Sequence, residues 1–171
     1  MKYTLEIQKR LLQVENGNLS PHEKALLLKE AIRIADENDD PQWAVEMRLD
    51  LIYELNLLSQ AEEEIAVFSR ILDDYENNKD LISENDILWK YKWICGAAFD
   101  VPEVSQSQID AILEDFKIRT LRNGYSARAY YHLLFLHYNR MRQYDLAKEY
   151  ADKMLSEKLD DMMCEACELN L

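Results

Sequence analysis

The stretch Ser83-Glu84-Asn85-Asp86-Ile87-Leu88-Trp89-Lys90-Tyr91-Lys92-Trp93-Ile94-Cys95-Gly96-Ala97-Ala98-Phe99 decides the fold class, because two readings of it compete. Trp89-Lys90-Tyr91-Lys92-Trp93 alternates aromatic and charged residues with the period of a half-buried strand. The same residues also fit a helix: Trp89 and Trp93 are four apart, and Leu88, Tyr91 and Cys95 recur at intervals of three and four. A lone strand would have no partner for its backbone N–H and C=O groups. The helical reading therefore wins here, as it does for nearly every other apolar segment of the chain.

Outward from this stretch, the turn chemistry predicts about eight helices. Toward the N-terminus, Leu5, Leu12 and the pair Leu11/Val14 form a first amphipathic segment, and Asn16-Gly17 reads as a left-handed C-terminal stop. Ser20-Pro21-His22-Glu23 reads as an N-cap, a Pro at the first helical position and a capping-box Glu. The helix it opens carries Leu27, Ala31, Ile34 and Ala35 on one face. Asp40-Pro41 repeats the signal for a third helix through Leu49, Ile52 and Tyr53. A fourth follows Ser59-Gln60, with Ile65, Phe68, Ile71, Leu72 and Tyr75 at helical spacing. Toward the C-terminus, Pro102 and Ser105 introduce a sixth through Ile109, Ile112, Leu113 and Phe116, ending at Asn123-Gly124. Ser126 is expected to cap a seventh, rich in aromatics, and an eighth begins near Tyr144.

The chain has 171 residues, 48% hydrophobic, 31% charged and 10% aromatic, with three Gly and three Pro. That apolar content supports a continuous core and argues against disorder. So few Gly and Pro argue against an all-β sandwich or barrel, which needs a turn every ~8–12 residues. Thirty-three acidic against 20 basic residues give a net charge of -13. This sign disfavours nucleic acid and anionic lipid as direct ligands and is compatible with a basic protein or peptide partner. It equally describes an ordinary solvated surface. The first residues lack the apolar run of a secretory signal, and no apolar run approaches a membrane span, so a cytoplasmic protein is expected. Three cysteines, an odd number, are then expected as reduced thiols.

A hydrophobic residue followed four positions later by an aromatic recurs in successive hairpins: Leu49/Tyr53, Cys95/Phe99 and Leu134/Tyr138. Here the sequence resembles the tetratricopeptide repeat (TPR), whose pattern is W-x2-L-G-x2-Y followed by A-x3-F. Cys95-Gly96-Ala97-Ala98-Phe99 stands where L-G-x2-Y would. The clearest unit is Tyr131, Leu134, Tyr138, Ala147 and Ala151, with Tyr144-Asp145 opening its second helix. Phe135 and Asp50 occupy the small-residue position that Gly96 fills, and the intervals exceed the ~34-residue TPR period. The resemblance covers roughly 40 to 158, with a partial hairpin before it, and implies an all-α protein of antiparallel hairpins stacked as an α-solenoid, a right-handed superhelix; the array is expected over 1–158, and the residues of 159–171 read as a short acidic, Cys-containing tail. Neighbouring hairpins must stack because no single one buries its own apolar face.

Chemistry-bearing motifs are few. Cys164-Glu165-Ala166-Cys167 has a spacing that binds zinc when two further ligands are present. The surrounding Asp160, Asp161, Glu165 and Glu168 favour the protonated thiol over a reactive thiolate. The plain alternative is a pair of small residues docking the tail. His22 falls in a helix first turn, and His132 and His137, five apart, do not share a face as ligand pairs four apart do. Gly17, Gly96 and Gly124 are too scattered to cradle a phosphate. The acidic runs Glu37-Asn38-Asp39-Asp40 and Glu62-Glu63-Glu64 sit at helix ends, and no G-x-S-x-G elbow is present. An enzyme is the least supported class, and no cofactor is expected.

What remains is a surface. The TPR resemblance implies that the first helix of each hairpin lines a groove. Carried over by position, the lining is Met47, Leu51 and Glu54 in the second hairpin. In the third it is Lys90, Trp93, Ala97 and Asp100, and in the fourth His132, Leu136 and Asn139. Lys90 and Trp93 are the natural anchors, unless Trp93 joins Trp89 in the core. The expectation is a non-catalytic protein-interaction scaffold that holds a peptide or helix of a partner, with a charge compatible with a basic one. The alternatives are a metal- or thiol-dependent regulator built on Cys164 and Cys167, and a homo-oligomer or part of a longer array.

Overall fold

The computed structural model describes residues 2–163, and there the chain is all-α, with eight helices and no strand. They are α1 (Lys2–Asn16), α2 (Pro21–Glu37), α3 (Pro41–Leu57), α4 (Ala61–Asn77), α5 (Glu84–Ala98), α6 (Gln106–Arg122), α7 (Arg128–Arg140) and α8 (Tyr144–Ser156). The stretch with two readings is α5. The helices fall into two compact units, one over 1–83 with α1–α4 and one from Glu84 onward with α5–α8.

In the first unit each helix packs on the next: α1 on α2, α2 on α3 and α3 on α4. Its core joins Ile7, Leu28, Ala31, Ala35, Met47, Leu51 and Leu55, with Tyr3, Leu11 and Val14 against them. Alanines at 25, 31, 35 and 44 are all buried, and their small side chains let α2 and α3 approach closely. In the second unit α5 packs on α6 and α7 on α8, and α5 also reaches α7.

The caps predicted for α2 and α3 form. Glu23 accepts from the Ser20 backbone N–H at 2.9 Å, and the Ser20 hydroxyl accepts from the Glu23 N–H at 3.4 Å, which completes the capping box. Asp40 accepts from the Trp43 N–H at 3.3 Å and from the Tyr3 hydroxyl at 3.0 Å, so one carboxylate both caps α3 and ties down α1. Gln108 accepts from the Ser105 N–H at 2.9 Å at the start of α6. At α7 the capping position is Ala127, one residue beyond the expected Ser126, whose hydroxyl accepts from the Arg128 N–H at 3.3 Å.

One turn recurs. The links 38–40, 58–60 and 141–143 each place their middle residue in left-handed backbone, with φ of 51° at Asp39, 55° at Ser59 and 57° at Arg142. In each, the following N–H reaches back five residues: Asp40 to the Ala35 carbonyl, Gln60 to Leu55 and Gln143 to Tyr138, at 2.9–3.0 Å. This pattern satisfies carbonyls that a helix end otherwise leaves open. Asn123-Gly124 ends α6 the same way, with Gly124 at φ 82° and the Tyr125 N–H bonded to the Thr120 carbonyl.

Three expectations about detail are corrected. Gly17 is not left-handed; glycine stands there because a Cβ would lie 2.4 Å from the Gln13 carbonyl oxygen. Leu5 and Leu12 are 60% and 56% exposed, and the inward face of α1 is Ile7 with Tyr3, Leu11 and Val14. Gly96 does not serve a close approach, since nothing lies within 4 Å of where its Cβ would be.

Candidate interaction surface

The second unit gathers the groups most suited to recognition. Tyr131 and Tyr138 lie seven residues apart on α7, hence on one face, and Tyr150 of α8 stacks on both. The ring centroids are 6.3 Å apart for Tyr131 and Tyr150 and 5.3 Å for Tyr138 and Tyr150, the latter pair only 7° from parallel. Tyr130 extends the row beside Tyr131 at 5.4 Å. All four rings are half-buried. None of their hydroxyls makes a hydrogen bond to another described residue.

Two lysines sit over this row. Lys117 of α6 places Nζ 5.1 Å from the Tyr130 ring centre, and Lys153 of α8 places Nζ 4.7 Å from that of Tyr150. Each also pairs with a carboxylate of its own helix, Glu114 at 3.2 Å and Glu149 at 2.6 Å. Burial raises the Tyr130 hydroxyl pKa, with Glu114 adding to it, and burial likewise raises that of Tyr138, with Asp110 and Glu149 among its neighbours. The row is therefore an aromatic strip beside carboxylates, with a lysine over two of its four rings, Tyr130 and Tyr150.

The positions carried over from the TPR resemblance divide between packing and surface. In the first unit Met47 and Leu51 are 1% and 2% exposed and belong to the core. Glu54 is also buried, 3.8 Å from Lys24 Nζ. Met47 and Leu51 lie in the core because an apolar stripe at helical spacing serves a core as readily as a groove. In the second unit Ala97 and His132 are buried, Lys90, Trp93 and Leu136 are half-buried, and Asp100 and Asn139 are exposed. Lys90 Nζ lies 4.5 Å from the Trp93 ring centre. Asp100 pairs with Arg140 at 3.0 Å, and Arg140 also donates to the Gly96 carbonyl at 3.2 Å, joining the ends of α5 and α7. Trp89 is half-buried like Trp93, with Lys92 Nζ 4.2 Å from its ring centre.

Other polar groups act inside each unit. In the first, buried Arg48 of α3 donates to both carboxylate oxygens of Asp36 on α2, at 2.8 and 2.7 Å, and to Asp74 on α4 at 3.1 Å. These residues border a cleft with Asp39, Asp40, Pro41 and Arg70. A second, apolar cleft between α1 and α2 is lined by Gly17, Leu19, Leu26 and Leu27. In the second unit buried Lys92 donates to the Met162 carbonyl at 2.7 Å. Asp160 accepts from the Ser126 N–H at 2.6 Å, and Arg128 donates to the Met154 and Glu157 carbonyls. The chain after α8 is thus strapped back over the start of α7 and onto α5.

His22 is exposed. His137 Nε2 lies 3.3 Å from the Gln106 side-chain oxygen, and its ring lies 4.7 Å from Phe99. Burial, with Arg140 adding and Asp110 opposing, lowers its pKa. Cys95 is fully buried, which raises its thiol pKa and keeps it protonated. Cys164 and Cys167 lie outside the described residues. Among the described residues no group of three or more His, Cys, Asp or Glu converges as a metal site, and no helix is long and apolar enough to cross a membrane.

Comparison with protein-family models, with curated proteins and with solved structures finds no match to this chain. The tyrosine row was only partly legible in the sequence. Tyr131 and Tyr138 stand out by their spacing of seven, but nothing in the sequence says that Tyr150 enters between them from another helix. Arg48 carried a visible signal, a charge at an inward position of α3 between Val45 and Ile52, and that signal was missed.

Proposed function

We propose that this chain is a non-catalytic interaction module, a degenerate TPR-like scaffold working in the cytoplasm and holding a peptide or helix of a partner protein. The observation that carries this reading is the tyrosine row on α7 and α8. Tyrosine combines a large rigid apolar face with a polar tip and loses little side-chain entropy when it becomes ordered, which is why it recurs at recognition surfaces. Four such rings in contact, with hydroxyls not hydrogen-bonded to another described residue, form a surface suited to packing and hydrogen bonding with something external. Lys90 and Trp93 on α5 supply a second aromatic and cationic pair in the same unit.

Display of a random peptide library on the immobilised chain tests the reading, with a Tyr138→Ala/Tyr150→Ala variant selected in parallel. Wild type is expected to enrich a sequence family that the variant does not. Failure of wild type to enrich anything, or the same enrichment from both, overturns the reading. Circular dichroism of the variant establishes that its helices persist.

A further inference from the structure

We infer that the tyrosine row receives basic side chains of a partner segment, and that Lys117 and Lys153 occupy those cation positions while the partner is absent. This rests on the interaction-module reading and names the chemistry of its ligand. Tyrosine rings attract cations through the negative face of the π system, and within the second unit the rings of Tyr130 and Tyr150 already carry one lysine each. The chain therefore contains the interaction it would offer to a partner, made with its own side chains.

Charge favours exchange over permanent closure. Asp110 and Glu114 on α6 and Glu149 on α8 place three carboxylates around the rings against the two lysines. Each lysine is already paired with a carboxylate of its own helix, Glu114 for Lys117 and Glu149 for Lys153, so leaving the ring does not strand it. An incoming guanidinium is planar, stacks on an aromatic face better than an ammonium and is more weakly hydrated. An arginine-bearing segment thus has an advantage over the resident lysines, and the free tyrosine hydroxyls are available to that segment's backbone carbonyls.

The experiment is fluorescence anisotropy of the whole chain with a labelled peptide of alternating Arg and Ser, beside the same peptide with each Arg replaced by citrulline. Citrulline keeps shape and hydrogen bonding but carries no charge. The Arg peptide is expected to bind about tenfold more tightly than its citrulline counterpart. Tyr130→Leu/Tyr150→Leu is expected to lose most of that difference, and Tyr130→Phe/Tyr150→Phe to keep it, because Phe retains the ring. The distinctive outcome is a gain: Lys117→Gln/Lys153→Gln is expected to bind the Arg peptide a few-fold more tightly, since the resident cations are gone. Equal binding of both peptides overturns the inference and leaves the module reading standing, with a ligand held by apolar contact such as a proline-rich segment. Arg binding that the Leu variant retains in full places the cation elsewhere on this acidic chain and also overturns it. Loss of binding in the Lys variant shows the lysines to be contacts and overturns their placeholder role.

Discussion

Arg48 has 7% of its surface exposed and is held from two sides, by Asp36 and by Asp74. Removing one partner of a buried pair costs more than the pair's net worth, because the remaining charge keeps its desolvation penalty. Asp74 is itself largely buried, whereas Asp36 is nearly half exposed and can return to water. Arg48→Met is therefore expected to destabilise the first unit by about 2–3 kcal/mol. A urea titration followed by circular dichroism checks it, and a change under about 0.5 kcal/mol would show the cluster to be surface decoration. Residues of this kind are hard to read in a sequence. A charge on the inward stripe of a helix signals a buried partner but does not name it, and here the partners come from the C-terminal turns of two other helices. The groove positions failed to separate for the converse reason, since Met47 and Leu51 have the composition of a core and of an apolar binding face alike.

Helix ends were the most legible features, because their determinants are local. Ser20 with Glu23, Asp40 with Pro41, and Asn123 with Gly124 each specify a boundary within four residues, and each boundary is where the structure has it. The exceptions involve contacts that lie beyond the motif. Gly17 looks like a left-handed stop yet is required by the approach of the Gln13 carbonyl, and α1 turns Ile7 inward where Leu5 and Leu12 offered an equally good stripe. The recurring three-residue link had no sequence signature at all: Asp39, Ser59 and Arg142 share a backbone conformation and no side-chain chemistry. Two substitutions exploit these findings. Gly96→Ala, inside α5 with open space at its Cβ, is expected to stabilise by about 0.5–1 kcal/mol, through the better helix propensity of Ala. Arg142→Gly relieves a left-handed non-glycine residue, and after the entropy of a freer unfolded chain about 0.5 kcal/mol of gain remains. Thermal unfolding should register the first as an increase of roughly 2 °C, and a decrease would show that Gly96 is needed for a contact its surroundings do not reveal.

The net charge of -13 is unevenly placed: residues 1–83 hold 18 acidic and nine basic side chains, so that segment carries most of the excess. Self-repulsion of this size opposes the compact state and is screened by salt. The melting temperature is expected to rise by several degrees between roughly 10 mM and 0.3 M sodium chloride. A fall would mean that ion pairs such as Lys29–Glu63 outweigh the repulsion. The strap that follows α8 has a different consequence, one that concerns synthesis. In the first unit helix packing joins consecutive helices, so each hairpin can close soon after it leaves the ribosome. In the second, the buried Lys92 ammonium reaches the Met162 carbonyl, 70 residues further along, and Ser126 reaches Lys158 and Asp160. Translation at ~5–20 residues per second therefore keeps α5 waiting several seconds for its last contacts. During that interval the half of the chain that carries the tyrosine row is the half most in need of a chaperone.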